Sequence, residues 1–208
     1  MNVHVLTEVT RKRYNRIAPL YDAMEALVER SRFRVWRERL WSQVVPGHIL
    51  EVGVGTGKNM RYYPAGAAVT AIDLSERMLE RARQRAQSMG VNVSLHLMDV
   101  QHLTFPDNTF DAAVATFVFC SVPDPVLGLQ EMARVVRFGG DIWLLEHVRV
   151  DKPVIGTLMD LMNPLVVRIV GANINRRTVE NVRRAGLEIV SVENLSDDLV
   201  KLIHARSR

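Results

Sequence analysis

The stretch His48-Ile49-Leu50-Glu51-Val52-Gly53-Val54-Gly55-Thr56-Gly57 decides the fold. An apolar segment of strand length runs into a turn with glycine at every second position. Apolar runs of this kind mark parallel strands buried on both faces. A second run, Ala68-Val69-Thr70-Ala71-Ile72, closes on Asp73, twenty positions after Gly53. Backbone without side chains at the tip of one strand lets a ligand approach. A carboxylate at the tip of the neighbouring strand can accept hydrogen bonds from a ribose diol. The dinucleotide fingerprint needs glycine three positions after its second glycine, and Lys58 stands there, so that pattern fails.

Composition fits one ordinary α/β domain: 208 residues, 48% hydrophobic and 24% charged. No apolar run approaches the roughly 18 to 20 residues of a membrane-spanning helix. The first residues lack a charged-then-apolar signal, so export is not expected. A single cysteine, Cys120, rules out an intrachain disulfide and suits a reducing compartment, which makes the cytoplasm the expected location. The net charge of +4 and pI near 9.6 favour acidic partners in a general way, or solubility alone. There is no zinc-finger spacing, RNA-binding signature or long basic tract, so neither metal nor nucleic acid is expected.

With its strand before and Asp73 after, the spacing Glu-x-Gly-x-Gly-x-Gly from Glu51 resembles motif I of the class I S-adenosylmethionine-dependent methyltransferases. Ile72-Asp73-Leu74-Ser75-Glu76-Arg77-Met78-Leu79, Met98-Asp99-Val100 and the turn Leu103 to Asp111 are similar to further signatures of that family. The resemblance implies S-adenosyl-L-methionine as cofactor and S-adenosyl-L-homocysteine as product. It implies a Rossmann-like sheet of seven strands, order 3-2-1-4-5-7-6, with helices on both faces. Cofactor contacts are implied at Glu51, Gly53, Gly55, Thr56, Gly57 and Asn59, then at Asp73, Leu74 and Met78. Others are implied at Met98, Asp99 and Val100, and at Thr116, Phe117 and Ser121 where the fourth strand ends. Met78 also suits a plain core position, and Asp99 a loop cap.

The string Tyr14-Asn15-Arg16-Ile17-Ala18-Pro19-Leu20-Tyr21-Asp22 looks like the opening segment of the ubiquinone/menaquinone-type and phospholipid-type methyltransferases. By that likeness Tyr14 and Tyr21 stand near the transferred methyl group, Tyr14 beside the cofactor and Tyr21 beside the acceptor. Two core tyrosines of an N-terminal helix would read the same way.

The chain divides into a helical cover (1–45), a cofactor-binding core (46–147), a substrate-side insert (148–178) and a last helix with a closing hairpin (179–208). Pro19 should start a new helix, because it cannot donate to the turn before it. Arg11, Lys12, Arg13, Arg16, Arg30, Arg32, Arg34, Arg37 and Arg39, with Phe33, Trp36 and Trp41, make either a solvated face or a basic cover for anionic lipid or the cofactor. Lys58 to Tyr63 can form a short helix, and Val91 to Leu97 a third strand at the sheet edge. Arg137-Phe138-Gly139-Gly140 should be a turn ahead of a fifth strand, Asp141 to Glu146. His147 follows it, where an imidazole can orient or deprotonate an acceptor, or simply bond the next loop. Cys120 has no activating base beside it in sequence. In the insert, Pro164 should divide Val154 to Val170. Met159, Asn163 and Arg176 are the substrate-side candidates there, the alternative being a helix pair that covers the sheet edge. Leu187 to Glu193 and Leu199 to Ala205 read as two strands joined by Asn194 to Asp198.

The expected activity is therefore methyl transfer to an amphipathic or lipid-like acceptor. The amine of phosphatidylethanolamine and its methylated derivatives stands ahead of a quinone precursor or a small thiol or oxygen acceptor. Peripheral contact of the basic cover with an anionic membrane, at its inner face, goes with that reading. A cofactor-binding regulatory protein without turnover would carry the same motifs. Composition and motifs leave the oligomeric state open.

Overall fold

In the computed structural model, the described residues are 3–28, 32–169, 172–196 and 198–208. Arg30 and Val170, named above, lie outside them, as does residue 197 of the turn expected between the last two strands.

Strands β1 (His48–Val52), β2 (Ala68–Asp73), β3 (Val93–Leu97), β4 (Phe110–Thr116), β5 (Val136–His147), β6 (Glu188–Ser196) and β7 (Val200–Arg206) form one sheet, order β3-β2-β1-β4-β5-β7-β6. The first five pair in parallel, and β7 runs antiparallel to both β5 and β6. Between and around them lie α1 (Val3–Val28), α2 (Arg34–Trp41), α3 (Glu76–Met89), α4 (Pro125–Val135), α5 (Pro153–Ile169) and α6 (Thr178–Arg184).

Alternation along the strands sends side chains to two layers of helices. From β1, Leu50 and Val52 join Leu129 and Met132 of α4 and Val182 of α6. Ile49 points the other way, to Leu40 and Trp41 of α2. Ala71 of β2 packs with Leu79, Ala82 and Ala86 of α3. Trp41, Phe110 and Phe119 are fully buried, each contributing about 1.5–3 kcal/mol of transfer free energy. Ser75 caps α3, its hydroxyl accepting the Met78 N–H, and Gly90 ends the helix in the left-handed region. Asp124 caps α4 by accepting from Val126 and Leu127, with Pro125 in its first turn.

Four expectations are corrected. Helix α1 runs unbroken through Pro19. Polar contacts on either side of the proline hold one axis: Asn15 accepts from Ser75, and Asp22 accepts from Arg85. Likewise α5 is one helix with Pro164 inside it, where a division was expected. The segment Arg137 to Gly140 belongs to β5 as a bulge, because the pairing with β4 jumps from Phe110↔Val136 to Ala112↔Asp141. Gly139, at φ +71, donates there to Ser207 of the chain end. Finally, β6 extends to Ser196, so the hairpin turn is tighter than Asn194 to Asp198.

Candidate active site

All five parallel strands end on one side, and the loops after β1, β2, β3 and β4 enclose a cavity there. It is open to solvent on one side, and its empty space, that open part included, is about 720 Å³. The glycine turn forms its floor. Gly53 and Gly55 adopt φ +67 and +55, left-handed values that suit glycine. A Cβ at Gly53 would meet Val118 at 2.4 Å, so this glycine lets two loops touch. A Cβ at Gly55 would meet nothing within 4 Å, so this glycine leaves backbone bare to the cavity. The Gly55 N–H donates to Asp73 Oδ2 and the Ser75 N–H to Oδ1, both at 2.8 Å. Burial pushes the Asp73 carboxyl up to about 6, against those backbone donors.

Tyr14, Tyr21, Gly53, Gly55, Asp73, Leu74, Met78, Met98, Asp99, Val100, Thr116, Phe117 and Ser121 all line the cavity. Thr10, Val52, Ile72, Val118, Val122 and Pro123 line it too, although none of them was among the expected contacts. Helix α1 lies across this space. Tyr14 and Ser121 hydrogen-bond at 2.6 Å, and Thr7 donates weakly to Asp99 at 3.4 Å. Asp99 also accepts from the Gln101 backbone at 3.0 Å and side chain at 2.9 Å. Asp22 takes the Thr56 hydroxyl at 2.7 Å, Arg85 at 2.9 Å and Arg81 at 3.2 Å, with Lys58 at 3.7 Å. Burial works to raise Asp22, yet these partners together hold it below the usual carboxylate range.

Other expected contacts stand behind the wall. Glu51 is fully buried and accepts from Asn59 Nδ2 at 2.6 Å and from the Tyr63 hydroxyl. Asn59 reaches Thr116 through Nδ2 at 3.2 Å and accepts from Arg37 at 2.8 Å. Arg37 is thus a buried strut and not a solvated or lipid-facing arginine. Thr56 serves Asp22, while Gly57 leaves room for Met60. His147 is not among the lining residues. It packs edge-on to Phe117 at 4.6 Å and near Phe33 at 5.8 Å, burial lowers its pKa, and its Nε2 has no hydrogen-bond partner.

The three insert residues do not line the cavity either. Met159 is buried and accepts the Val150 N–H through sulfur. Asn163 bonds Asn173 at 3.1 Å and accepts the Ile174 N–H at 3.0 Å. Arg176 donates to the carbonyl of cavity-lining Val122 at 2.7 Å. Of the three, Arg176 braces the rim directly, because a buried carbonyl in the loop after β4 needs a partner.

Phe117 sits at φ +57, a strained conformation for an aromatic residue, costing about 1–3 kcal/mol. Glu146 stabilises the loop that follows: its Oε1 accepts the Val118 N–H at 2.8 Å and the Phe119 N–H at 3.1 Å, while Oε2 is buried without a partner. Burial pushes Glu146 up to about 7. Its folded pKa lies above its unfolded value, so the protonated acid favours the fold. That advantage is present below about pH 4.5 and disappears as pH rises toward 7. Glu146→Gln should flatten the decline in stability between pH 5 and 8; a urea midpoint that still falls as in the wild type would refute this. Cys120, three residues after the strained Phe117, is pushed up to about 12 by burial, so it is not a nucleophile at neutral pH. Among the described residues no cluster of three or more His, Cys, Asp or Glu could hold a metal ion.

Residues 50–144 match the family model described as a methyltransferase domain. A phosphatidylethanolamine N-methyltransferase of Cereibacter sphaeroides is 46% identical over 51% of this chain and 53% of its own length. The chain therefore spans about half of that relative. A ubiquinone/menaquinone biosynthesis C-methyltransferase UbiE of Bdellovibrio bacteriovorus is 31% identical over 79% of this chain and 72% of its own. Among solved structures, an S-adenosylmethionine-dependent methyltransferase of Thermotoga maritima, titled a possible histamine N-methyltransferase, superposes with TM-score 0.70 at 23% identity, covering 95% of this chain and 99% of that one. Geranyl diphosphate C-methyltransferase from Streptomyces coelicolor, complexed with Mg2+, geranyl diphosphate and S-adenosyl-L-homocysteine, superposes with TM-score 0.69 at 15% identity, covering 84% and 78%. Both likenesses concern the fold.

Proposed function

This chain belongs to the S-adenosylmethionine-dependent methyltransferases, and on that premise we propose that it methylates the amine of an amphipathic acceptor, an ethanolamine phospholipid and its methylated derivatives fitting best. One observation carries the choice. Beyond Asp73 and Asp99, which the cofactor would take, the cavity walls offer the tyrosines Tyr14 and Tyr21, with no basic side chain among the described lining residues. Such walls suit a sulfonium and an amine that reaches the site as a cation, gives up a proton to water before its lone pair attacks, and leaves as a methylated ammonium. A phenol or ring carbon instead calls for a base or a cation beside the developing charge. His147 is held behind Phe117.

The residues fit the cofactor. The bare backbone at Gly55 admits a nucleoside, Asp73 would hold the ribose and Asp99 the adenine amine, with Leu74, Met98 and Val100 against the ring. When bound, the cofactor supplies an electrophilic methyl group that leaves sulfur in line with the incoming nucleophile. The chain's own part is to orient and to exclude water. Phe117 and Val122 close the space from the sheet side, and α1 covers it through the Tyr14–Ser121 bond. Tyr21 would then face the acceptor, its hydroxyl able to accept a hydrogen bond from an N–H of the neutral amine.

A second reading, methylation of a quinone precursor, is favoured by the greater share of the chain, 79% against 51%, matched by the relative named for that activity. Methyl-labelled cofactor, offered with phosphatidylethanolamine vesicles or with a demethylated quinol, separates the two. Label in the headgroup supports the proposal. Label in the quinol alone replaces it by the second reading. Cofactor binding without transfer to either leaves a regulatory binding protein.

The raised Asp73 pKa adds a prediction. A ribose acceptor must be ionised, so affinity for the cofactor should be full well above pH 6 and fall as pH drops through it. About tenfold weaker binding at pH 5 than at pH 8 is expected. Asp73→Ala should weaken binding by roughly 1–3 kcal/mol and abolish that dependence. Calorimetric titration at both pH values decides it: a flat profile in the wild type would remove Asp73 from the ribose.

A further inference from the structure

Helix α1 is fastened over the cavity by polar contacts. Among its described residues only Ala18 is fully buried, and none joins the three core clusters. Before Pro19, Asn15 accepts from the Ser75 hydroxyl at 2.7 Å, and Tyr14 bonds Ser121 at 2.6 Å. Beyond the proline the fastening passes to Asp22. Pro19 has no N–H to give the preceding turn, so the backbone ties the two halves less firmly than in an ordinary helix.

Asp22 gathers its partners from two neighbouring elements. Its Oδ1 accepts the hydroxyl of Thr56, in the glycine turn, at 2.7 Å and lies 3.7 Å from Nζ of Lys58 just after that turn. Its Oδ2 accepts from Arg85 at 2.9 Å and from Arg81 at 3.2 Å, both on α3. Arg81 and Arg85 stand four residues apart on one helix face, where like charges repel, so the carboxylate between them lets them converge. Isolated surface ion pairs count for little, but here one carboxylate, its side chain 27% exposed, joins three cations and a hydroxyl in a network. Lys58 also lies 5.7 Å from the centroid of the Tyr21 ring. Tyr21 lines the cavity, whereas Asp22, Lys58, Arg81 and Arg85 are not among the lining residues.

We propose that Asp22 is a positioning residue: clasped by Arg81, Arg85, Lys58 and Thr56, it fixes Tyr21 against the acceptor and acts through that tyrosine without touching acceptor or cofactor. The proposal deepens the methyl-transfer reading and rests on it, since Tyr21 faces the acceptor only there. Tyr21 bonds the amine alike before and during transfer, so loosening it weakens acceptor binding and leaves the chemical step nearly as it was. Tyr14 lies in the other half of α1, with bonds of its own, so the cofactor side keeps its geometry.

Asp22→Asn, Arg81→Ala with Arg85→Ala, and the three changes together test it. Asp22→Asn should raise KM for phosphatidylethanolamine in mixed micelles about tenfold, with kcat within about threefold and cofactor Kd within about twofold of wild type. Hydrogen exchange of the cofactor-free chain, read by mass spectrometry, should quicken about tenfold from Leu20 to Asp22 and stay unchanged in β1 and β4. The arginine pair should reproduce both effects, and adding Asp22→Asn to it should change little, because members of one network do not add. Wild-type KM and wild-type exchange in Asp22→Asn overturn the proposal. So does a loss spread over the molecule, with cofactor affinity and thermal midpoint falling alongside KM, which would assign Asp22 to the fold alone. Full additivity of the aspartate and arginine changes overturns it as well. If the wild type labels a demethylated quinol and not the phospholipid, the same KM comparison is made with the quinol. Exchange and non-additivity as expected, in a wild type that methylates neither, uphold the clasp on Tyr21 and sink only the acceptor reading.

Discussion

Gly55→Leu is expected to abolish cofactor binding, raising Kd by about a hundredfold or more, while the chain still folds. The two effects separate because a Cβ at this position meets no protein atom within 4 Å, so the new side chain extends into the cavity. The nucleoside would have to share that space with an isobutyl group. The fold loses only what a left-handed φ of +55 costs a non-glycine residue, about 1–2 kcal/mol. The N–H of residue 55 can still donate to Asp73. Gly53→Leu supplies the contrast. Its side chain drives into Val118 at once, so binding and stability should fall together. Calorimetric titration alongside urea unfolding checks both; wild-type affinity in Gly55→Leu would mean that nothing binds against this turn.

The second large effect concerns stability. Glu51→Leu should cost about 3–5 kcal/mol, seen as a lower urea midpoint, with cofactor affinity changed less than about threefold. Glu51 is fully buried and takes the amide of Asn59 and the hydroxyl of Tyr63. Remove it, and that hydroxyl is stranded in the interior while the amide keeps only Thr116. Burial raises the Glu51 pKa, against Tyr63, Asn59 and Arg37, so much of its value lies in the hydrogen bonds and little in its charge. A stable Glu51→Leu protein that no longer binds the cofactor would instead put this acid in the site.

How far the site could be read from sequence depended on where the partners lie. The glycine turn and Asp73 were legible because two successive strand ends bring them together by local geometry. Tyr14 and Tyr21 were reached only through resemblance, and their packing over the cavity depends on α1 lying against α3. Glu146 escaped notice, although it closes the loop after β4, because its donors at Val118 and Phe119 are 28 and 27 residues away. Pro19 and Pro164 misled for a related reason. Local chemistry says that proline ends a helix, and contacts elsewhere outweighed it.

The strand order came only through the family resemblance; by itself the sequence determined the strands and the side on which a nucleoside can meet bare backbone. Those follow from periodicity and from residues without side chains, which act within a few positions along the chain. Only the tertiary structure decided which polar groups face the cavity. Glu51 and Asn59 turn away because Tyr63 and Arg37, brought in by other elements, satisfy them first, and His147 stands behind Phe117. Where a buried side chain points is set by its nearest hydrogen-bond partner in space, and spacing in the chain does not record that.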